Sequence, residues 1–308
     1  MDQSTAPPPR AGEWPSEFDE AVYTGHLGDI DPRSVCAASV VGHYRRLGRS
    51  EGRICSAIGA RGDLIGLIEP GASILEIGPC LWPAFDKARH VVKYVDVLTT
   101  EDLRRMAAAQ EGGAPAQVPE IDYVWAGGSL AELIPETFDA IYSSHNIEHQ
   151  TCLISHLQDC AKLLNKGGAM FLVVPDKRYC FDHFRPESTL ADILAAWMEP
   201  SDRHRALRVV QQSFFTTHND VLRHWAGDHG DNPFEALGSR EFGRAVAGLK
   251  HLYENEGYID VHAWQFTPDS FRAAVDSLHA MELSPLGVAR VYPTIYGTTE
   301  FLAILTRD

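Results

Sequence analysis

Short apolar runs alternate with segments of helical spacing along the middle of the chain. The runs "SILEIG" from Ser73, "VVKYVDV", "IDYVW", "FDAIYSS" and "AMFLVV" are rich in Val, Ile and aromatic residues. Runs of this kind, separated by helix-like stretches, predict a parallel sheet covered on both faces. In "TCLISHLQDCAKLLNKGG", Leu153, Leu157, Cys160 and Leu164 share one helical face, and Gly167 and Gly168 supply the expected stop. The alternation halts after Pro175 and resumes at Thr267, which can cap a helix with Pro268 in its first turn. Two late strands follow, "PLGVARVY" and "EFLAILTR", joined by "PTIYGTT".

Upstream, residues 34 to 68 carry helical apolar spacing until "EPGAS" breaks it, and the opening "MDQSTAPPPRAGEWPSEF" is proline-rich and aperiodic. The pattern predicts an α/β fold, a doubly wound and mostly parallel seven-stranded sheet of Rossmann-like type. Its expected parts are a disordered tail over 1–18, a helical extension over 19–70, a core over 71–175 and 268–308, and a large insertion over 176–267 after the fifth strand.

Composition narrows the partners. Forty-two acidic residues against 27 basic ones leave a net charge of −15, which repels a phosphate backbone, so neither nucleic acid nor an anionic membrane is an expected partner. No apolar stretch is long enough to span a bilayer, the N-terminal segment lacks the apolar core of a signal peptide, and a cytoplasmic location is expected. The six cysteines form no CxxC pair, and reduced, mostly buried thiols are the plain expectation.

In open parallel sheets ligands bind beyond the carboxyl ends of the strands, where the strand order reverses. Gly78 follows the strand "ILEI" and lets a ligand approach the backbone, but Cys80 and Pro83 stand where the dinucleotide signature needs glycine. That argues against a nicotinamide or flavin enzyme. Asp96 follows Gly78 by 18 residues, close to the spacing at which a carboxylate accepts hydrogen bonds from ribose hydroxyls. Glu76 is expected to turn its charge toward the same crevice, repelling a pyrophosphate and favouring an ammonium or sulfonium.

Glu76, Ile77 and Gly78 followed by Asp96, then "FDAIYSSHNIEH", "LLNKGGAMFLVVP" and a terminal two-strand hairpin, resemble the class I S-adenosylmethionine-dependent methyltransferases, in particular their small-molecule branch. The resemblance covers about residues 72 to 175 and 268 to 308. It implies S-adenosylmethionine as cofactor, with Glu76, Gly78 and the neighbouring Pro79 at its methionine part, Asp96 at the ribose, and Gly128, Ser129 and Leu130 near the adenine. His145 matches the position after the fourth strand that faces the sulfonium. The turn "GPCLWP", which the resemblance sets against the methionine tail, departs from the family's glycine-rich pattern.

After the fifth strand, "PDKRYCFDHFRP" gathers Lys177, Arg178 and Arg185 with Tyr179, Asp182 and His183. An arginine fork suits a carboxylate or phosphate on a substrate, whereas Asp176 and Asp182 could equally neutralise a solvated loop. Seven of the 14 histidines lie between 176 and 266: His183, His204, His218, His224, His229, His251 and His262. In "YIDVHAWQF" a strand alternation puts Asp260, His262 and Trp264 on one face, and an exposed edge strand is at least as good an account. His218, Asp220, His224 and His262 could form a two-histidine, one-carboxylate metal site, but HxD spacing is common by chance and no metal is expected.

The expected activity is therefore S-adenosylmethionine-dependent transfer, by preference of methyl, to a small and carboxylated acceptor, in small-molecule or secondary metabolism. His145, Tyr179 and His183 are the expected catalytic residues. Lys177, Arg178, Arg185, His218, His262 and Trp264 are the expected acceptor contacts. Transfer of the 3-amino-3-carboxypropyl arm is the alternative within the enzyme class, and a catalytically silent cofactor-binding module the alternative outside it. A nicotinamide-dependent oxidoreductase stands third. A small-molecule acceptor is the expected partner, and a homodimer is admitted but not required.

Overall fold

The computed structural model of the chain describes residues 14–28, 37–109, 118–255 and 258–307. Seven strands, β1 (Ser73–Ile77), β2 (Val91–Asp96), β3 (Tyr123–Val124), β4 (Phe138–Ser144), β5 (Leu164–Pro175), β6 (Leu286–Tyr292) and β7 (Glu300–Arg307), form one sheet in the order β3-β2-β1-β4-β5-β7-β6. β1 to β5 run parallel, and β7 lies antiparallel between β5 and β6. The expected doubly wound, mostly parallel sheet is the observed one. Its order reverses between β1 and β4, and the carboxyl ends of the strands at that reversal are where such sheets take their ligands.

Strand alternation splits the core into two layers. Leu75, Ile77, Val95, Ile141, Leu172 and Val174 pack on one face against α6 (Leu153–Leu163) and α11 (Pro268–Ala280). Ile74, Tyr94, Tyr142, Phe171 and Val173 pack on the other against Trp14, Leu64 and Leu67. The remaining helices are α1 (Glu20–Gly25), α2 (Ala37–His43) and α3 (Arg61–Ile65) before the sheet, and α4 (Thr100–Ala109) and α5 (Leu130–Leu133) between strands. The insertion carries α7 (Leu190–Met198), α8 (Ala206–Phe214), α9 (Val221–Trp225) and α10 (Arg240–Asn255). Thr267 caps α11 by accepting from the Ser270 amide, with Pro268 in the first turn, as expected.

Three local expectations need correction. The tail was expected to run to residue 18, but Trp14 is buried edge-on to Phe171, and the Tyr292 hydroxyl donates to Pro15 O at 2.9 Å. Residues 1–13 lie outside the described residues. Helix α6 does not run to the glycines: β5 begins at Leu164, and Gly167 and Gly168 lie within it. A Cβ on Gly168 would come within 2.8 Å of Asp139 O, so close strand approach demands that glycine. "YIDVHAWQF" forms no strand beyond one bridge between Phe266 and Asp176.

The five cysteines among the described residues are free. Among these residues no helix is long and apolar enough to cross a membrane.

Candidate functional site

Gly78 sits at the carboxyl end of β1 with φ +69°, and a Cβ there would approach Asn146 Nδ2 to 2.9 Å. Asn146 follows β4, so these two residues face each other across the point where the strand order reverses. His145, beside it, takes a left-handed φ of +48°, a strain that a residue without glycine's freedom tolerates only when its surroundings fix it. The Asn146 amide is held by Gln150, whose Nε2 donates to Asn146 Oδ1 at 2.8 Å.

The turn after Gly78 hangs from two carboxylates. Asp96 accepts from the Cys80 amide at 3.1 Å and the Leu98 amide at 2.9 Å, tying the end of β2 to the turn. Glu76 accepts from the Ala84 amide at 2.7 Å and the Phe85 amide at 3.2 Å and is only 3% exposed. Burial pushes its carboxyl up to about 7, against the lowering by those two amides. The expectation that Glu76 presents charge to the crevice is thus corrected: it braces the turn from below. Its place on the strand decides this, since it alternates with Leu75 and Ile77 and lies on the opposite face of the sheet.

A cavity of about 680 Å3 lies beside the crevice, lined by Val97, the 125–130 segment, His149, Gln150, Lys162 and Tyr258 among others. Gly128, Ser129 and Leu130 border it as expected of the adenine region, with Ser129 capping α5 by accepting from the Glu132 amide. Gly78, Pro79, Asp96 and His145 are not among its lining residues.

A chain of acidic and imidazole groups runs from the end of β4 into the insertion. His145 Nε2 lies 2.7 Å from Glu300 Oε2, and a carboxylate can only accept, so the proton sits on Nε2. Arg61 pairs with the same Glu300, and the two partners outweigh burial, holding that carboxyl at about 2. His149 donates through Nδ1 to Asp260 at 3.0 Å, and His262 through Nδ1 to Asp182 at 2.6 Å. Burial lowers the His149 ring, but the Asp260 hydrogen bond and nearby acidic charges raise it overall. Glu148 lies fully buried among these rings.

The insertion residues are placed differently from expectation. Arg185 is 1% exposed and spends its guanidinium on Asp182 at 2.6 Å, Gln212 Oε1 at 2.6 Å and His262 O at 2.5 Å. Arg178 grips Asp176, and Lys177 donates to His183 O at 2.8 Å. Both arginines are thus paired with carboxylates of their own segment and Lys177 is engaged by a backbone carbonyl, which speaks against the carboxylate grip expected of Lys177, Arg178 and Arg185. Trp264 is a core residue, donating through Nε1 to Gln150 O at 2.7 Å.

Tyr179 stacks on Trp225 with centroids 3.7 Å apart, and His183 stacks on His229 at 3.5 Å. His218 accepts from the Asp220 amide and donates to Asp228 O, both at 3.1 Å. The combination of His218, Asp220, His224 and His262 is not assembled. His218 and His224 pack together in one group, while His262 joins His149 and Glu148 in another.

Sequence reasoning missed Asn146, Glu148, His149 and Glu300, and it put Asp260 on a strand face with His262 rather than against His149. The signal for the first three lay in "HNIEH", where His145, Glu148 and His149 stand at positions i, i+3 and i+4.

No protein-family model and no curated protein matches the chain. Among solved structures, the trans-methyltransferase CalH in complex with SAH aligns at 13% identity and a TM-score of 0.37, covering 92% of this chain and 63% of that one. The CcbJ methyltransferase from Streptomyces caelestis aligns at 11% and 0.37, covering 85% and 95%. An S-adenosylmethionine-dependent methyltransferase from Mesorhizobium loti aligns at 15% and 0.39, covering 80% and 96%. This chain thus spans under two thirds of the first of these. At such scores the likeness carries no argument about activity, which has to be built from strand order and site.

Proposed function

We propose that this chain is an S-adenosylmethionine-dependent transferase that methylates a small-molecule acceptor. The observation that carries the reading is the junction at the strand reversal. There Gly78 holds a left-handed turn tied to Asp96, next to a cavity bordered by the 127–130 loop. The missing GxGxxG speaks against a pyrophosphate cofactor, and an adenosine with one acidic ribose anchor and a glycine-lined base site fits what remains.

When bound, the cofactor supplies an electrophilic methyl on its sulfonium, so the protein has mainly to align a nucleophile and exclude water. Gly78 lets the methionine part lie against the backbone, with Pro79 beside it. Asp96 would hold the ribose through the lone pairs that its two amide bonds leave, and Ser129 and Leu130 would border the base. His145, oriented by the hydrogen bond of its Nε2 to Glu300, is the residue placed to take a proton from the acceptor.

The contacts of Lys177, Arg178 and Arg185 give no support to a carboxylated acceptor, so the acceptor is proposed only as a small molecule. Tyr179 and His183 belong to the wall over the strand ends rather than to the reacting centre, each being engaged by a ring of the insertion.

Calorimetric titration with S-adenosylhomocysteine tests the reading. Asp96→Ala is expected to weaken binding at least about tenfold, the loss of one or more charge-assisted hydrogen bonds. Equal affinity in the variant and the parent chain refutes it. Mass spectrometry of the spent cofactor then separates methyl transfer, which leaves S-adenosylhomocysteine, from aminocarboxypropyl transfer, which leaves methylthioadenosine.

A further inference from the structure

Glu148 is fully buried, and neither of its carboxylate oxygens has a hydrogen-bond partner among the described residues. A buried carboxyl group whose oxygens have no partner is costly unless something completes it. Its Oε1 lies 3.6 Å from His145 Nδ1, 3.9 Å from His262 Nε2 and 4.0 Å from His149 Nε2, all too far for hydrogen bonds. With metal–ligand bonds of about 2.0–2.2 Å, however, two ligands of one ion sit ~3.3 Å apart at the tetrahedral angle and up to ~4 Å at wider angles. One ligand atom from each of Glu148, His149 and His262 lies within 4.8 Å of the other two.

The protons of both rings are already committed elsewhere. His149 gives its Nδ1 proton to Asp260 and His262 its own to Asp182, so Nε2 is the atom that each ring has left for a metal ion. A carboxylate behind each imidazole is the arrangement that orients metal-bound histidines and raises their basicity. The backbone fixes the same geometry, because Glu148 O accepts from the amides of Ala263 and Trp264, at 2.6 and 3.2 Å, clamping the His262 segment to the end of β4.

The other histidine group, His183, His224 and His229, lacks this feature. There His224 Nε2 donates to His218 O, and His224 Nδ1 is met at 3.0 Å by His229 Nδ1, so the rings satisfy one another.

We propose that Glu148, His149 and His262 form a binding site for one divalent first-row transition-metal ion. Two imidazoles and one carboxylate suit zinc, iron or cobalt better than magnesium or calcium, which prefer all-oxygen shells. Of the three residues, His149 also lines the 680 Å3 cavity. The site stands or falls independently of the transferase reading.

The test is metal binding by the full chain after chelator treatment, read by titration with Co(II) for its visible d–d bands and with Zn(II) by calorimetry. One equivalent of each is expected, with Zn(II) displacing Co(II). Glu148→Gln and His149→Ala should each weaken binding by at least about 100-fold, and Asp260→Ala, behind the His149 ring, by about 10–100-fold. His229→Ala should leave it unchanged. Should Glu148→Gln fail to fold, His149→Ala, whose ring is partly exposed, carries the comparison. No retained metal in the parent chain overturns the proposal, and so does metal lost in His229→Ala but kept in His149→Ala.

Discussion

His145 Nε2 and Glu300 Oε2 lie 2.7 Å apart although 155 residues separate them in the chain. Sheet register accounts for the meeting. Glu300 opens β7 opposite Pro175, and the His145 amide donates to Val173 O, so the end of β4 and the start of β7 share one rim. Glu300→Gln removes the charge that holds both His145 and Arg61. An expected loss of about 1–2 kcal/mol in urea unfolding follows, most of it from the His145 bond, because the Arg61 side is half exposed.

Gly78→Ala tests the crevice. The left-handed turn and the 2.9 Å approach to Asn146 both oppose a Cβ, and a stability loss of about 1–2 kcal/mol is expected together with loss of S-adenosylhomocysteine binding. Adding Asn146→Ala should relieve the steric part and leave the backbone part. Full recovery of stability in the double variant would show that the turn imposes no strain.

Glu76 gives the pH prediction. Its folded-state value of about 7 lies above the ordinary value of 4.5, so the folded chain binds this proton more tightly than the unfolded one. Its contribution is complete below about 4.5 and is lost as pH rises through 7, on the order of 3 kcal/mol in all. Melting temperature measured from pH 5 to 8 should fall in the parent chain. In Glu76→Gln that slope should flatten, on top of a constant loss from the amide that no longer has an acceptor.

Arg185→Ala separates a structural cation from a substrate-binding one. Removing it strands Asp182 and Gln212 in a buried setting, and a destabilisation of about 3–5 kcal/mol is expected. A folded, equally stable variant with weakened acceptor binding would return Arg185 to the role first expected of it.

The sheet was legible because each core strand is a short apolar run between breakers, and Thr267 and Pro268 announced α11 by their chemistry alone. Gly167 and Gly168 misled because a helix stop and a crowded strand use the same residue. The difference lies in Asp139 O, contributed by a neighbouring strand. His145 was legible from its place after β4. The partners that give "HNIEH" its meaning were not, since Asp260 and Glu300 arrive through the insertion and the last strand. Alternation failed over 258–266 for a related reason. Glu148 O captures the Ala263 and Trp264 amides and buries Trp264, where a free edge strand would have kept the period of two.

Because Glu300 is the first residue of β7, the rim depends on how that strand is threaded as much as on which residues it carries. Neighbouring positions on a strand point to opposite sides. An insertion in the 293–299 connection that displaced β7 by a single step would deliver the Phe301 ring, or the Thr299 hydroxyl, to His145 in place of a carboxylate. The imidazole would then lose its proton acceptor with no ionisable residue having been mutated.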